Sequence, residues 1–175
     1  PSGIEVKPGY ERTHLLGTTF NKAFGDWVLR GEFGYSTARY YLTADLRDSD
    51  GVIKSGEFSY VLGVDYQGIT DTFISVQIFQ SLITSYENGI TRDELENSAT
   101  FLFERKFLNE TITAELLTIH NFNDGDGALQ AEISYQLSSN IFVNLGADIF
   151  YGSRQGLFGQ FDSKDRVTFG IEMGF

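Results

Sequence analysis

Cysteine is absent from the 175 residues, and proline, methionine and tryptophan are rare, at two, one and one. Without cysteine, the protein can form neither a disulfide nor a thiolate metal site. No stretch approaches the roughly 20 apolar residues that a membrane-spanning helix requires. Basic residues are scarce too: 13 lysines and arginines oppose 24 aspartates and glutamates, for a net charge of -11. This charge argues against nucleic acid as a partner, because phosphate binding requires clustered positive charge.

Glycine and aromatic residues are abundant instead, with 19 Gly, 16 Phe and 9 Tyr. Phenylalanine and tyrosine favour the half-buried, pleated surface of a sheet, and glycine weakens helices. The composition therefore predicts an all-β fold. It does not separate a soluble β domain from a membrane barrel, in which only alternate residues face lipid.

The C-terminal segment 166–175 alternates most clearly. One set of alternate positions is wholly apolar: Val167, Phe169, Ile171, Met173 and Phe175. The other set is polar or glycine: Arg166, Thr168, Gly170, Glu172 and Gly174. A strand places two such sets on opposite faces, so this segment is predicted to be a strand with one apolar side.

Similar alternation predicts eight further strands. It is clear at 27–35, 58–66, 129–137 and 141–151, and less regular at 72–80, 98–107, 111–121 and 10–20. These lengths approach the about 9–11 residues with which a tilted strand crosses a bilayer, whereas strands of soluble proteins average about 5–6. We predict that residues 1–175 form a single domain, an antiparallel transmembrane β-barrel of about nine strands. The alternative is a soluble all-β domain.

The connections between these strands alternate in length. The short ones are predicted at 21–26, 67–71, 108–110 and 138–140. Between them lie longer ones at 37–56, 82–96 and 152–165, with a shorter one at 122–127. Bacterial outer-membrane barrels have short periplasmic turns and longer extracellular loops. The pattern therefore predicts a location in the bacterial outer membrane.

The strand count bears on the length of the protein. If Phe175 lies at the periplasmic face, the first of nine strands begins outside, whereas a complete bacterial barrel has an even number of strands. Either one strand is miscounted or the chain is the C-terminal portion of a longer protein, and we expect the latter.

The last strand resembles the signal by which the barrel-assembly machinery engages outer-membrane proteins, carried here by Phe169, Ile171, Met173 and Phe175. Three further segments resemble a family of large proteobacterial outer-membrane proteins known only as a domain of unknown function. They are Trp27-Val-Leu-Arg-Gly-Glu-Phe-Gly-Tyr35, Leu62-Gly-Val-Asp-Tyr66 and Leu145-Gly-Ala-Asp-Ile-Phe-Tyr-Gly152. This resemblance implies a porin-like channel, part of a chain several times longer, with no catalytic residues.

Charged residues fall on the polar side of the predicted strands. Those expected to line a lumen are Arg30, Glu32, Asp65, Glu104, Glu115, Glu132, Asp148, Arg166 and Glu172, together with Lys106. Rings of carboxylates favour cations, and facing arginines create a transverse field. The pattern predicts passive or gated diffusion of a small solute through a weakly cation-favouring pore. The alternative is that these charges pair across strands and fill a narrow barrel.

Aromatic residues lie near both ends of the predicted strands. Those at the predicted periplasmic end are Phe24, Trp27, Tyr66, Phe73, Phe107 and Phe175, and those at the extracellular end are Tyr35, Tyr40, Tyr41, Phe58, Phe79 and Tyr151. Two such belts are typical of a barrel in contact with lipid. The expected partners are outer-membrane lipid, lipopolysaccharide, the assembly machinery and a small solute.

Other functions have weaker support. The acidic segments 45–51 and 121–127 offer oxygen ligands for calcium, but Asp and Gly are also the usual turn residues, and we predict no metal site and no cofactor. A hydrolase would need a base such as His120 close to Ser36 or Ser153; nothing in the spacing indicates this, and we predict no enzyme. A structural barrel, plugged and binding partners or lipopolysaccharide through its loops, is the second hypothesis, and a hydrolase is the third. The connections 37–56 and 152–165 are long enough to fold inward as a constriction.

Overall fold

Strands make up almost all of the regular structure. The computed structural model describes residues 10, 12–45 and 50–174, and these contain nine strands and one short 3-10 turn, Gly159–Phe161. The strands are β1 (Leu15–Phe24), β2 (Trp27–Leu42), β3 (Val52–Tyr66), β4 (Thr72–Ile83), β5 (Leu95–Phe107), β6 (Ile112–Asn121), β7 (Asp126–Ser138), β8 (Ile141–Tyr151) and β9 (Arg166–Met173). Among the described residues no helix is both long and apolar enough to cross a membrane.

All nine strands belong to one antiparallel sheet in which each strand pairs with the next along the chain. The prediction of an all-β, antiparallel fold with nine strands is confirmed. Within the described residues β1 pairs only with β2 and β9 only with β8, so the sheet has two free edges and is not closed on itself.

Several predicted boundaries are wrong. The first strand covers Leu15–Phe24 rather than 10–20, and a two-residue turn at Gly25 and Asp26 joins it to β2. Gly25 has a φ of 58°, which glycine adopts without strain. The strands β2 and β3 both extend further than predicted, so the connection between them is 43–51 rather than 37–56.

A β-bulge explains the extension of β2. The pairing of β2 with β3 shifts between Ser36 and Arg39, so that β2 carries one extra residue. Beyond this point each side chain of β2 changes face relative to simple alternation. Tyr40 therefore pairs with Lys54, and Tyr41 lies on the same side of the sheet as Glu57.

The strand registers define two faces, because directly paired residues lie on the same side of a sheet. We call the face that contains Arg30 the polar face. Starting from Arg30, the paired residues on that face are Gly63, Gln77, Thr100, Ile119, Ala128 and Phe150. The opposite face, which contains Leu29, Val64, Val76 and Phe101, is called the apolar face.

Several polar groups of the polar face are more buried than the large apolar side chains of the opposite face. The apolar face is exposed: Ile133 and Leu145 are both 54% exposed, and Phe169 is 69% exposed. The polar face contains buried groups such as Asp65 and Ser75. Since the same strands supply both faces, the sheet must curve with its polar face on the inside.

A small apolar core lies at the end of the sheet that carries the long connections. Tyr41, Ile83 and Ile90 are buried together, with Ile53 packed against them. Backbone pairing between Thr43 and Ile90 joins the connection after β2 to the connection after β4. The described parts of these two connections therefore pack together as a folded rim.

Candidate functional site

The polar face is the candidate functional site. Pairing places all nine residues predicted to line a lumen on it: Arg30, Glu32, Asp65, Glu104, Glu115, Glu132, Asp148, Arg166 and Glu172. They come from seven strands, from β2 to β9 without β4. The shared face follows from the alternation of the strands; whether it encloses a channel stays a prediction.

One of the two arginines in this set is held by β3 and β4. Arg30 Nη2 donates to Asp65 Oδ1 at 3.0 Å and to Ser75 Oγ at 3.2 Å. Asp65 and Ser75 are both buried. A buried carboxylate requires such a partner, because an unpaired charge away from water is costly. Hydrogen bonds from Arg30 therefore connect β2, β3 and β4 across this part of the polar face.

The other arginine belongs to a similar group on β7, β8 and β9. Arg166 Nε donates to Asp148 Oδ2 at 2.5 Å, and Gln130 Nε2 donates to Asp148 Oδ1 at 3.1 Å. Both oxygens of the buried Asp148 are therefore satisfied. This contact also ties the first residue of β9 to the sheet.

The remaining acids have no cationic partner. Within the described residues, five predicted lumen acids form no ion pair: Glu32, Glu104, Glu115, Glu132 and Glu172. Three of them lie directly opposite one another on adjacent strands, with Glu104 paired to Glu115 and Glu115 paired to Glu132. Like charges in direct cross-strand positions destabilise a sheet. This row thus gives the polar face a local excess of negative charge.

The connection 152–165 folds over the polar face. Its Leu157 and Phe158 line the same cavity as Ser59 of β3, five strands away from β8. The anchor is Asp126, which is fully buried at the start of β7. Its Oδ2 accepts hydrogen bonds from the backbone N–H groups of Phe158 at 2.6 Å and Gly159 at 3.0 Å.

Two glycines allow this connection to approach Asp126. A Cβ at Gly156 would lie 2.4 Å from Asp126 Oδ2, and a Cβ at Gly159 would lie 1.9 Å from the carbonyl oxygen of Ser153. Neither position has room for a side chain. The inward fold of this connection was expected from its length, but its anchor was not.

The aromatic residues are divided between the two faces. Eight predicted belt residues lie on the apolar face: Phe24, Trp27, Tyr35, Tyr40, Phe58, Tyr66, Phe107 and Tyr151. At the short-turn end, the rings of Trp27 and Tyr66 are 4.3 Å apart. Three other assignments are wrong, because pairing places Phe73, Phe79 and Tyr41 on the polar face. Phe175 lies outside the described residues.

Sequence reasoning missed a cluster at the rim. Glu57 accepts hydrogen bonds from Tyr41 Oη at 2.7 Å and Arg92 Nη1 at 2.6 Å, and its other oxygen lies 3.2 Å from Arg39 Nη1. Arg92 also pairs with Glu96 at 2.7 Å. Burial opposes the charge of Arg92, but the hydrogen bond to Glu57 and the charge of Glu96 raise the pKa of Arg92 above its ordinary value. The residues of this rim cluster come from separate segments of the chain, so no local sequence motif predicts the cluster.

The described part of the predicted assembly signal lies on the edge strand β9. Phe169, Ile171 and Met173 pair with Leu145, Val143 and Ile141, and all three are exposed on the apolar face. The outer backbone edge of β9 has no partner strand among the described residues.

The residues considered for a hydrolase are not brought together. His120 Nδ1 lies 3.1 Å from Tyr151 Oη, and the His120 ring packs edge-on against Phe122. Ser36 instead lies 3.2 Å from Thr13 Oγ1, and Ser153 Oγ accepts the Gln155 N–H.

The acidic segments considered for calcium also have other contacts. In the segment 121–127, Asn121 Nδ2 donates to Asp124 Oδ2, and Asn121 Oδ1 accepts the Asn123 N–H. Residues 46–49 of the segment 45–51 lie outside the described part. Over the described residues, no group of three or more His, Cys, Asp or Glu side chains is arranged to hold a metal.

Comparisons with known proteins add little. No protein-family model matches the chain, and no curated protein does. Among solved structures, the chain is similar to the outer membrane phospholipase A from Escherichia coli, with a TM-score of 0.34 and 10% sequence identity over 93% of this chain and 77% of that chain. A similarity this distant carries no argument about what the present chain does.

Proposed function

We propose that this chain forms part of a porin-like β-barrel of the bacterial outer membrane, through which a small solute diffuses. The observation that carries the proposal is the exposure of the apolar face, whose large side chains lie open while Asp65, Ser75 and Asp148 of the polar face are buried. Soluble proteins rarely expose a contiguous apolar patch larger than a few hundred Å². An apolar face with exposed large hydrophobic residues on eight of its nine strands fits lipid tails and lipopolysaccharide acyl chains better than water.

The free edges of the sheet support a larger assembly. Unpaired backbone groups at β1 and β9 cannot remain in the hydrocarbon region, where each costs several kcal/mol. We propose that further strands of a longer chain pair with these two edges and close the barrel. The exposed alternation of Phe169, Ile171 and Met173 on β9 would serve the assembly machinery before closure.

The charge of the polar face supports a preference for cations. Five predicted lumen acids have no cationic partner in the part of the chain that the structure describes, whereas Arg30 and Arg166 are both paired with an aspartate. The surplus negative charge would concentrate cations in the lumen. Because paired arginines remain on the same surface, the expected preference is weak.

Conductance in planar lipid bilayers tests the proposal. The full-length protein should form discrete channels, and the reversal potential in a potassium chloride gradient should show cation preference. A sample that does not conduct is either misfolded or not a channel. A far-UV circular dichroism spectrum and the change of electrophoretic mobility on heating distinguish these two cases. A folded protein that conducts no ions would contradict the channel.

One observation favours the second hypothesis, a plugged structural barrel. The connection 152–165 covers part of the polar face and is anchored by the buried Asp126. If the wild-type protein is closed and only an Asp126→Ala variant conducts, the connection acts as a plug.

A further inference from the structure

A cavity of about 630 Å³ lies between the polar face and the connection 152–165. Its floor comes from β3, β4, β5 and β6, and its cover is Leu157 and Phe158. The volume lies within the about 300–1,000 Å³ of small-molecule sites. Because the cavity lies along the proposed solute path, a solute that passes through the lumen would bind there transiently.

Phe79 is the unusual residue of the floor. Pairing places its ring on the polar face, between Val61 of β3 and Ser98 of β5. It is not part of the small apolar core at the rim, which consists of Tyr41, Ile83 and Ile90. An aromatic ring that faces a cavity without joining a core is available to pack against a ligand.

Unused hydroxyl groups surround this ring. The side chains of Ser59, Ser98 and Thr100 line the cavity, and none of them forms a hydrogen bond with another described residue. The Asn121 amide at the same wall donates to Asp124. The cavity thus combines free hydroxyls with an aromatic surface.

Two of the three acids of the cavity wall are paired with arginine, and the third, Asp124, accepts a hydrogen bond from Asn121. Glu57 is paired with both Arg39 and Arg92, and Glu96 is paired with Arg92. This differs from the row of Glu104, Glu115 and Glu132, in which none of the three acids has a cationic partner among the described residues. A ligand bound in the cavity would meet less unpaired negative charge than beside that row.

We propose that this cavity binds a neutral saccharide of one or two rings, an inference that rests on the porin-like function and names its solute class. A sugar ring has an apolar C–H face that would pack on Phe79, and its rim of hydroxyls would bond to Ser59, Ser98 and Thr100. The oxygen of Glu96 that is not used by Arg92 would accept a further hydroxyl. Leu157 and Phe158 would cover the opposite side of the sugar.

A small organic cation is the competing occupant. It would favour the unpaired acids of β5, β6 and β7 over this cavity, where two of the three acids are paired with arginine, because its binding depends on uncompensated negative charge. Choline therefore serves as the cationic probe and maltose as the neutral one.

The test measures the current through the full-length protein in planar bilayers while maltose is added. Maltose should reduce the current saturably, and polyethylene glycol of equal hydrodynamic size should reduce it only in proportion to the bulk conductivity. Phe79→Ala should raise the half-blocking maltose concentration by about 2- to 10-fold, the range of a single aromatic contact. Thr100→Val should raise it by about 2- to 10-fold through loss of one hydrogen bond.

Two matched variants control for general effects. Phe142→Ala removes a ring from the polar face outside the cavity, and Thr113→Val removes a hydroxyl from the polar face outside the cavity. Both should leave the half-blocking concentration unchanged. The saccharide proposal would be overturned if choline reduced the current and maltose did not. It would also be overturned if Phe79→Ala left the half-blocking maltose concentration unchanged.

The channel and the cavity can fail separately. Current without maltose reports the channel alone. If no current is found, equilibrium dialysis of radiolabelled maltose against the folded protein in detergent tests the cavity: saturable binding weakened by Phe79→Ala supports it, and no saturable binding overturns it.

Discussion

The two faces of the sheet differ most clearly on β8, where both are built from neighbouring residues. Leu145 points to the apolar face and is 54% exposed, whereas Asp148 points to the polar face and is 8% exposed. In a water-soluble sheet these exposures would be exchanged, because apolar side chains gain by leaving water. The comparison shows that curvature, rather than polarity, decides burial here, and that the two faces are adapted to different surroundings.

The contrast between the faces weakens toward the long connections. On the apolar face, Tyr60, Gln80 and Asn97 form a hydrogen-bonded row across β3, β4 and β5, with Tyr60 Oη donating to Gln80 Oε1 at 2.7 Å. On the polar face, Tyr41 and Ile83 form part of a small apolar core. We therefore expect the lipid-facing part of the sheet to stop short of the end that carries the long connections.

A charge on the apolar face should have the largest effect. Ile133 lies near the middle of β7 and is exposed on the apolar face. If this face meets lipid, Ile133→Arg should destabilise the protein by about 2–4 kcal/mol, the cost measured for arginine near the midplane of a bilayer. Urea unfolding of the full-length protein in lipid vesicles provides the measurement.

The neighbouring residue supplies the control. Ser134 lies on the polar face, where its hydroxyl donates to Glu132. Ser134→Arg should change the free energy of unfolding by less than about 0.5 kcal/mol. Equal small effects from both arginines would mean that the apolar face is in water, and the proposed membrane location would be wrong.

The next largest effect should come from the anchor of the connection 152–165. Asp126→Ala removes the acceptor of the Phe158 and Gly159 N–H groups. Buried donors left without partners cost about 1–3 kcal/mol. The variant should unfold at lower urea concentration and conduct more current, because the connection leaves the polar face. Asp162→Ala, an exposed acid in the same connection, should change neither. Unchanged conductance in Asp126→Ala would show that the connection does not obstruct the lumen.

Much of the fold could be predicted because side chains alternate between the two faces of a strand, and pairing with neighbouring strands preserves these faces. Each strand keeps its two sets of side chains apart, so Glu32 on β2 and Glu172 on β9 could be assigned to one face without knowledge of the register. The connection 152–165 has the predicted bounds, since its flanking strands end where alternation ends.

Other features depend on contacts that no local pattern records. The bulge between Ser36 and Arg39 exchanges the faces of Tyr40 and Tyr41, and nothing in the sequence of β2 requires it. The carboxylate of Asp126 meets backbone groups 32 and 33 residues away. Phe79 was assigned to a belt from its place near a strand end, but its pairing with Val61 and Ser98 places it on the polar face.

Smaller effects should arise where the contrast weakens. Tyr60→Phe removes the hydroxyl that donates to Gln80 on the apolar face, so it should destabilise the protein by about 1 kcal/mol in lipid vesicles. Tyr135 lies on the same face and forms no hydrogen bond through its hydroxyl with a described residue, so Tyr135→Phe should have almost no effect. An equal loss in both variants would indicate that tyrosine hydroxyls interact with lipid headgroups rather than with this row.

The smallest expected change in stability separates a functional charge from a structural one. Glu115 is paired with Glu104 on one side and Glu132 on the other, and has no cationic partner among the described residues. Glu115→Gln should stabilise the protein by about 0.2–1 kcal/mol, because it relieves cross-strand repulsion. The same substitution should shift the reversal potential toward zero, because it lowers the negative charge of the lumen. Glu94→Gln removes an equal charge from the connection between β4 and β5 and should change neither the stability nor the reversal potential.

A more stable Glu115→Gln protein with unchanged ion preference would place these acids outside the ion path. A less stable protein would mean that Glu115 has a stabilising partner, which the polar face does not provide in this structure.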